Sequence, residues 1–210
     1  MPEAKAVPEG PTLKAVVIGV SMGGLDALKR LLGELPKNFG LPIFVVQHMA
    51  PESGDGLAVI LDAHCQVRVK EADSGELPVP GTVYLAPANY HLLVETDGRL
   101  GLSVDPPVNY ARPSVDVLFE TAAEAFGRGL VGILLTGAGR DGSKGLKLIQ
   151  QLGGRTLVQD PADALADSMP RSALEVMKPD AVLPLEALAA QLITLIQNSV
   201  HLPPGPKSFL

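Results

Sequence analysis

The chain has 210 residues, of which 46% are hydrophobic and 19% are charged, and its formal net charge is −6. This composition is typical of a folded globular protein and excludes a disordered chain or a coiled coil. Lysine and arginine residues are scattered singly, which argues against nucleic-acid binding. No apolar run reaches the roughly 18–20 residues that a membrane helix needs, so we expect no membrane insertion.

The two ends of the chain differ in composition from the part between them. Residues 1–12 are rich in proline and glutamate, and residues 199–210 contain three prolines. We therefore expect two tails around one domain at residues 13–198. The beginning has no apolar signal-peptide segment, which predicts a cytoplasmic protein, and the single Cys65 excludes an internal disulfide.

Strands and helices alternate in the first part of the domain. The β-branched run at residues 13–20 predicts a buried strand, and leucines at helical spacing predict a helix at Gly24–Gly33. A second strand is expected at residues 42–47. A proline then opens a predicted helix at residues 52–62, since proline suits a first helical turn. The alternating residues 66–71 predict a half-buried strand.

Residues 74–104 have a different texture, with three short β runs at residues 82–86, 91–95 and 99–103. The last two runs are joined across Asp97 and Gly98, and an Asp-Gly pair is a strong hairpin signal. We interpret the whole segment as an antiparallel insert.

The remainder of the domain returns to alternating strands and helices. Helices are predicted at residues 115–126, with Ser114 as the N-cap, and at residues 142–152, 170–177 and 186–197. Strands are predicted at residues 129–136, 155–159 and 181–184. The pattern predicts an α/β fold: a doubly wound, mostly parallel sheet flanked by helices on both faces, with a small antiparallel β-hairpin insert.

Three of the predicted buried strands are followed by a residue that can take part in catalysis. These residues are Ser21, His48 and Asp141. Ligands of open α/β sheets bind outside the carboxyl ends of the strands. We therefore expect the three side chains at one edge of the sheet, as the catalytic triad of a serine hydrolase.

Ser21 lies in the pattern G-x-S-x-G, which places a serine on a sharp turn between a strand and a helix. Glycines beside the serine let the backbone fold tightly, and the N–H of Met22 can then face a developing oxyanion. A dinucleotide-binding loop needs glycine at position 21, and a P-loop needs a lysine that is absent. A glycine-rich turn with a solvent-exposed serine stays open as an alternative.

His48 and Asp141 also have structural alternatives. A single histidine after a strand is more often structural than catalytic, although His48 could act as the general base for Ser21. Asp141 could instead cap the helix that begins at Gly142, and Asp160 is a rival carboxylate. No metal-ligand spacing of histidine or cysteine is present, so we expect no metal and no cofactor.

Seven motifs, in chain order, identify a family resemblance: VVIGVSMGG, FVVQHM, VKEADSGE, GTVYLAP, PPVNYARPSVDVLF, GILLTGAGRDGSKG and DSMPRSAL. From about Lys14 to Ile196 the chain resembles the catalytic domain of the chemoreceptor glutamate methylesterases of the CheB type. The resemblance places the triad on Ser21, His48 and Asp141. It implies hydrolysis of glutamate methyl esters on chemoreceptors, with release of methanol, and deamidation of receptor glutamines. The implied partners are the methylated cytoplasmic helices of receptors and a receptor methyltransferase.

The chain departs from the family pattern in its beginning and at several site positions. Family members usually have a receiver domain before the esterase, and only residues 1–13 precede the region of resemblance here. We therefore expect no phosphorylation control within this chain. Met22 and Ala138 occupy positions where the family commonly has threonine and methionine, which alters the expected shape of the pocket. We still expect the backbone N–H of Met22 and one from the loop 137–140, such as Ala138 or Gly139, to form the oxyanion hole.

Arg112 lies in the motif NYARPSVD and has two interpretations. It could shape the substrate cleft, or it could pair with Asp116 one helical turn away. Two rival functions also stay open for the chain as a whole. One is a non-catalytic scaffold that binds receptors or a methyltransferase partner, and the other is a hydrolase of small soluble esters.

Overall fold

Seven parallel strands form the central sheet of the protein, whose computed structural model describes residues 12–50 and 56–199. The strands of the described chain are β1 Ala15–Val20, β2 Ile43–Gln47, β3 Arg68–Glu71, β4 Thr82–Leu85, β5 His91–Val94, β6 Leu100–Ser103, β7 Leu130–Leu134, β8 Arg155–Gln159 and β9 Ala181–Leu183. The α-helices are α1 Gly24–Gly33, α2 Gly56–His64, α3 Val115–Phe126, α4 Ser143–Gln151, α5 Ser168–Val176 and α6 Leu185–Ser199.

The strand order brings the ends of β1, β2 and β7 together in the middle of the sheet. The order across the large sheet is β3-β4-β2-β1-β7-β8-β9. The chain builds outward from β1 on one side, through β2, and later returns to pair β7 with the other side of β1. Such a reversal opens a crevice at the carboxyl ends of the strands, where ligands of open α/β sheets bind.

Apolar side chains cover both faces of the sheet. All six residues of β1 are buried, and because successive side chains of a strand point to opposite faces, Val16 and Ile18 join one core cluster while Val17 joins the other. The first cluster includes leucines of α1, α2 and α6, and the second includes apolar residues of α3, α4 and α5. The predicted doubly wound sheet with helices on both faces is confirmed.

The antiparallel insert is smaller than the sequence predicted. Among the strands of the described residues only β5 and β6 pair in antiparallel fashion, as a separate two-stranded sheet, and this confirms the predicted hairpin. The run at residues 82–86 was wrongly placed in the insert, since β4 lies in the large sheet and pairs in parallel with both β2 and β3. All four residues of β4 are buried, as is typical of a parallel strand covered on both faces.

Several predicted elements match the structure residue by residue, and others differ at their ends. Gly24–Gly33, Val115–Phe126 and Arg155–Gln159 have the predicted bounds. The helix predicted at residues 52–62 is described as Gly56–His64, and its positions 52–55 lie outside the described residues, as do most of the two predicted tails. Within the described part of the chain, no helix is long and apolar enough to cross a membrane.

Candidate active site

The ends of β1 and β2 place Ser21 and His48 side by side. In the parallel pairing of these strands Val20 lies opposite Gln47, and the N–H of His48 donates to the carbonyl of Val20 at 3.1 Å. On the other side of β1, the N–H of Ser21 donates to the carbonyl of Thr136, just beyond β7, at 3.0 Å. Ser21 therefore lies at the carboxyl end of β1, between the ends of β2 and β7.

The turn at Ser21 depends on the glycines that follow it. Gly23 has a φ of +80°, a left-handed conformation that a residue with a side chain rarely adopts. A Cβ on Gly24 would lie 1.7 Å from Oε1 of Gln47, so this position admits only glycine as the surroundings stand. The pattern G-x-S-x-G thus occurs here at a tight strand-to-helix turn, with α1 beginning at Gly24.

His48 and Asp141 are in direct contact. Nε2 of His48 lies 2.7 Å from Oδ2 of Asp141, and the side chains are 19% and 3% exposed. Since a carboxylate only accepts hydrogen bonds, Nε2 of the neutral imidazole carries the proton and Nδ1 is left as an acceptor. Nδ1 is therefore the atom of His48 that can take a proton from a nucleophile.

The carboxylate of Asp141 lies at the amino end of α3 and accepts four further hydrogen bonds. Their donors are Asn109 Nδ2 at 2.9 Å, Ser114 Oγ at 2.9 Å, the N–H of Val115 at 2.7 Å and the N–H of Asp116 at 3.1 Å. Burial alone would raise the pKa of Asp141, but the hydrogen bonds from His48, Asn109 and the two backbone N–H groups outweigh it and lower the pKa. Asp141 is therefore held as an anion beside His48.

Asp141 caps a helix, but not the following helix α4 that the sequence suggested. The N-cap of α4 is Gly142, which has a φ of +91° and makes no side-chain capping bond. Asp141 instead caps α3, from a distant part of the sequence, because its two oxygens reach the free N–H groups of the first turn of α3. Ser114 holds the expected N-cap position of α3, but its hydroxyl donates to Asp141 instead of capping the helix.

The hydroxyl of Ser21 is the unbonded member of the three. Among the described residues, Ser21 Oγ makes no hydrogen bond, whereas the other two side chains are paired. Catalytic hydrogen bonds are often long or poorly aligned before substrate binds. The sheet register nevertheless keeps the serine and the histidine on adjacent strand ends, and they line two clefts that have Met49 in common.

Sequence reasoning missed Asn109 and gave no site role to Asp116. Asn109 Nδ2 donates to Asp116 Oδ2 at 2.9 Å as well as to Asp141, so one amide bridges two carboxylates. Burial raises the pKa of Asp116, and the negative charge of Asp141 raises it further. The signal in the sequence was an asparagine three residues before Arg112 in a loop, and asparagine tolerates the positive φ of 51° found there.

Of the backbone N–H groups near the expected oxyanion hole, some are already hydrogen-bonded and others have no acceptor in the described structure. Gly137 N–H donates to the carbonyl of Ala166 at 2.9 Å and is therefore engaged. In the described residues, no acceptor takes the N–H of Met22, Ala138 or Gly139. Ala138 and Gly139 line a cleft of about 490 Å³ together with His48 and Asp141.

Arg112 lines the same cleft but does not pair with Asp116. Its Nε and Nη2 donate to Asn89 Oδ1 at 3.0 and 2.6 Å, and its Nη1 donates to the carbonyls of Val104 and Asp105 at 2.7 and 3.0 Å. Asp116 is occupied by Asn109 and the N–H of Gly145 instead. The guanidinium thus connects Asn89, which lines the cleft with Arg112, to the backbone carbonyls that follow β6.

The remaining polar candidates of the described chain have other partners. His91 is buried and both of its ring nitrogens are engaged, with the N–H of Ser114 at 3.2 Å and the carbonyl of Pro106 at 3.2 Å. Asp160, the rival carboxylate, accepts the N–H of Ala162 at 2.9 Å. These contacts leave Asp141 as the carboxylate that reaches His48.

Comparisons with known proteins agree on one family. The CheB methylesterase family model matches residues 16–192. A protein of Leptospira interrogans, whose name assigns it provisionally as a protein-glutamate methylesterase/protein-glutamine glutaminase, is 48% identical over 90% of this chain and 97% of that protein. The protein-glutamate methylesterase FrzG of Myxococcus xanthus is 42% identical over 91% of this chain and 56% of FrzG, so the chain spans about half of that longer relative.

A solved structure supports the same assignment. The crystal structure of the Thermotoga maritima CheB methylesterase catalytic domain superposes with a TM-score of 0.84 at 38% sequence identity. The match covers 88% of this chain and 99% of that domain. The agreement extends over the large sheet and the hairpin, so it concerns the whole fold and not only the motifs.

Proposed function

The chain belongs to the CheB methylesterase family, and from this premise we propose that Ser21, His48 and Asp141 hydrolyse glutamate methyl esters of chemoreceptors. The enzyme is a protein-glutamate methylesterase, and its relatives carry protein-glutamine glutaminase in the same name. The observation that carries the assignment of the three residues is the 2.7 Å contact between His48 and Asp141 beside the strand end that bears Ser21.

The reaction proceeds in two steps. Ser21 Oγ attacks the ester carbonyl, Nδ1 of His48 accepts the serine proton, and that proton then leaves with methanol. Water, deprotonated by the same nitrogen, attacks the acyl-serine, and the bond to Ser21 Oγ breaks as His48 returns the proton to that oxygen. The glutamate acid that is released ionises to a carboxylate. Asp141 holds the imidazole in the tautomer with the proton on Nε2 and stabilises the imidazolium that forms.

The developing oxyanion is stabilised by backbone donors. Met22 N–H follows the nucleophile directly, and Ala138 and Gly139 contribute available N–H groups from the loop after β7. Backbone donors do not depend on side-chain identity, so the presence of Met22 and Ala138 at these positions is compatible with the reaction. With a glutamine side chain as substrate, the same steps expel ammonia in place of methanol.

The geometry favours an enzyme over a non-catalytic scaffold. A binding surface has no need for a buried carboxylate that holds a histidine tautomer at the end of the strand next to a serine. A receptor methyltransferase as a partner stays a prediction of the family resemblance. A receptor substrate predicts slow turnover of small free esters, because a small ester lacks the binding energy that the rest of the receptor supplies. A hydrolase of small esters would instead turn them over rapidly.

Methanol release from a methylated chemoreceptor tests the proposal. We expect Ser21→Ala to abolish release while the melting temperature stays within a few degrees, because Ser21 Oγ makes no hydrogen bond among the described residues. Ser74→Ala is the matched control, since Ser74 is exposed and lies far along the chain from the three residues.

Three outcomes would contradict the proposal. Retention of wild-type release by Ser21→Ala would remove Ser21 as the nucleophile. A non-catalytic scaffold would be favoured if a fluorophosphonate failed to label Ser21 in the wild type while Ser21→Ala still bound the receptor. Rapid turnover of free methyl esters with low KM would favour a small-molecule hydrolase.

A further inference from the structure

The side chain of Gln47 spans the ends of the two strands that carry Ser21 and His48. Gln47 is the last residue of β2, and its Nε2 donates to the carbonyl of Ser21 at 2.9 Å and to the carbonyl of His48 at 2.8 Å. The reverse orientation of the amide would set its oxygen against two carbonyl oxygens, so the contacts fix which atom is the nitrogen. One amide group therefore joins the backbone of the nucleophile to the backbone of the base.

The contact with Ser21 also determines where the N–H of Met22 points. The carbonyl of Ser21 and the N–H of Met22 belong to one planar trans peptide, so they point in opposite directions. The carbonyl accepts from Gln47 Nε2 and from the N–H of Gly24 at 2.9 Å. With the oxygen held by two donors, the N–H on the other side of the plane points away from the Gln47 amide, and no acceptor takes it among the described residues.

The next peptide is held from the opposite side. Thr136 Oγ1, just beyond β7, donates to the carbonyl of Met22 at 2.9 Å. The two peptide units that flank Met22 are thus anchored by a side chain of β2 on one side and by a side chain just beyond β7 on the other. Gln47 supplies the anchor on the side of His48, and so it couples the direction of the Met22 N–H to the position of the base.

The amide oxygen of Gln47 indicates that this residue does not serve the stability of the fold. Oε1 of Gln47 is buried and has no hydrogen-bond partner among the described residues. An unpaired buried acceptor is unfavourable for folding, and an apolar side chain of similar shape would avoid that cost. Gly24 must also lack a side chain to make room, since its Cβ would overlap Oε1.

We propose that Gln47 is a positioning residue, which aims the Met22 N–H at the oxyanion and keeps His48 in register with Ser21. This inference rests on the proposed hydrolase function. It assigns no contact between Gln47 and substrate, and the Gln47 amide acts only through the backbone of Ser21 and His48. Its effect belongs to the transition state, because the oxyanion forms only there.

Gln47→Met removes the donor and keeps a side chain of similar length. Removing a whole oxyanion donor costs about 10²–10³ in kcat, so misdirecting one should lower kcat about 10- to 100-fold while KM changes by less than about threefold. The control is Gln66→Met, at an exposed glutamine before β3. Methanol release from methylated receptor and the rate of fluorophosphonate labelling of Ser21 are both measured.

Gln47→Glu supplies a readout that a structural role would not give. The ionised carboxylate would face the carbonyls of Ser21 and His48, whereas the protonated acid can again donate a hydrogen bond. Burial raises the pKa of such a carboxyl, so the activity of Gln47→Glu relative to wild type should rise as the pH falls from 7 toward 5. Gln47→Met should show no such recovery.

The outcomes separate this inference from the proposed function. A Gln47→Met kcat within threefold of wild type, or a pH-independent ratio for Gln47→Glu, would overturn the positioning role. Loss of folded protein in both variants would also overturn it, since Gln47 would then serve the core. If wild type labels at Ser21 but releases no methanol from receptor, the proposed substrate is wrong, and the labelling rates still decide the role of Gln47.

Discussion

The acid–base half of the site and the nucleophile half are held in different ways. Asp141 is 2% exposed and accepts hydrogen bonds from His48, two other side chains and two N–H groups of α3. Ser21 has no such contact through its hydroxyl in the described structure, and it is positioned through its backbone N–H and carbonyl. One half is fixed by side-chain bonds, and the other by the turn on which it lies.

This difference separates effects on folding from effects on activity. A substitution of Asp141 changes the packing of α3 against the loop after β7, because the carboxylate is also the cap of that helix. Under the proposed mechanism, a substitution of the Ser21 hydroxyl should change only the chemistry. The two halves should therefore respond differently when activity and stability are measured together.

Asp141→Asn should have the largest combined effect. In this variant a side-chain NH2 group replaces one carboxylate oxygen, and it faces hydrogen-bond donors in either orientation of the amide. An NH2 group that faces His48 cannot accept the hydrogen bond that keeps the proton on Nε2. Loss of the orienting aspartate costs about 10⁴ in kcat in triad proteases, and we expect a loss of that order. Burial of mismatched donors should also lower the free energy of unfolding by about 1–3 kcal/mol. Steady-state kinetics and urea unfolding measure the two losses, and a kcat within tenfold of wild type would contradict the role of Asp141.

The pH dependence of that stability difference has a definite sign. The pKa of Asp141 is lowered in the folded protein, so its contribution is present above the unfolded value of about 3.9 and is lost as the pH falls through the folded value. Unfolding free energies of wild type and Asp141→Asn should therefore differ most at neutral pH and converge below about pH 4. A constant difference across this range would show that the charge of Asp141 is not involved.

Much of the site was predictable because strand ends have a signature in sequence. A buried apolar run followed by Ser21, His48 or Asp141 identifies both the strand and the edge at which it ends. The contacts of Gln47, Asn109 and Thr136 were not predicted, since each depends on side-chain hydrogen bonds to groups that the fold brings near from elsewhere in the chain. No periodicity encodes such contacts. The position of β4 in the large sheet was missed for a related reason. A run of four buried residues predicts a strand, but it does not indicate whether the neighbouring strand is parallel or antiparallel.

Asn109→Leu should have an intermediate effect on the acid–base half. It removes the amide that donates to both Asp116 and Asp141, so the repulsion between the two carboxylates increases. The pKa of Asp141 should rise, and activity should be lost at a higher pH than in wild type as the pH is lowered. We expect kcat to fall about tenfold at neutral pH, since one of the hydrogen bonds to a charged group is lost. The measurement is kcat between pH 4 and 8, with the exposed Asn38→Leu as control.

An unchanged acid limb in Asn109→Leu would show that the hydrogen bonds from Ser114 and α3 suffice to keep Asp141 ionised. That result would confine the role of Asn109 to Asp116. A shift in the opposite direction, toward lower pH, would contradict the proposed bridging of the two carboxylates, because removal of a donor cannot favour an anion.

Arg112→Met should have the smallest effect and should act on binding instead of chemistry. The guanidinium ties Asn89 to the carbonyls of Val104 and Asp105, and among the described residues it makes no hydrogen bond to His48 or Asp141. Its loss loosens one wall of the cleft, so KM for methylated receptor should rise by a few-fold while kcat stays within about threefold. Arg68→Met, at an exposed position of β3, is the matched control. A fall in kcat at constant KM would place Arg112 on the reacting groups instead, and the cleft wall would then belong to the nucleophile half of the site.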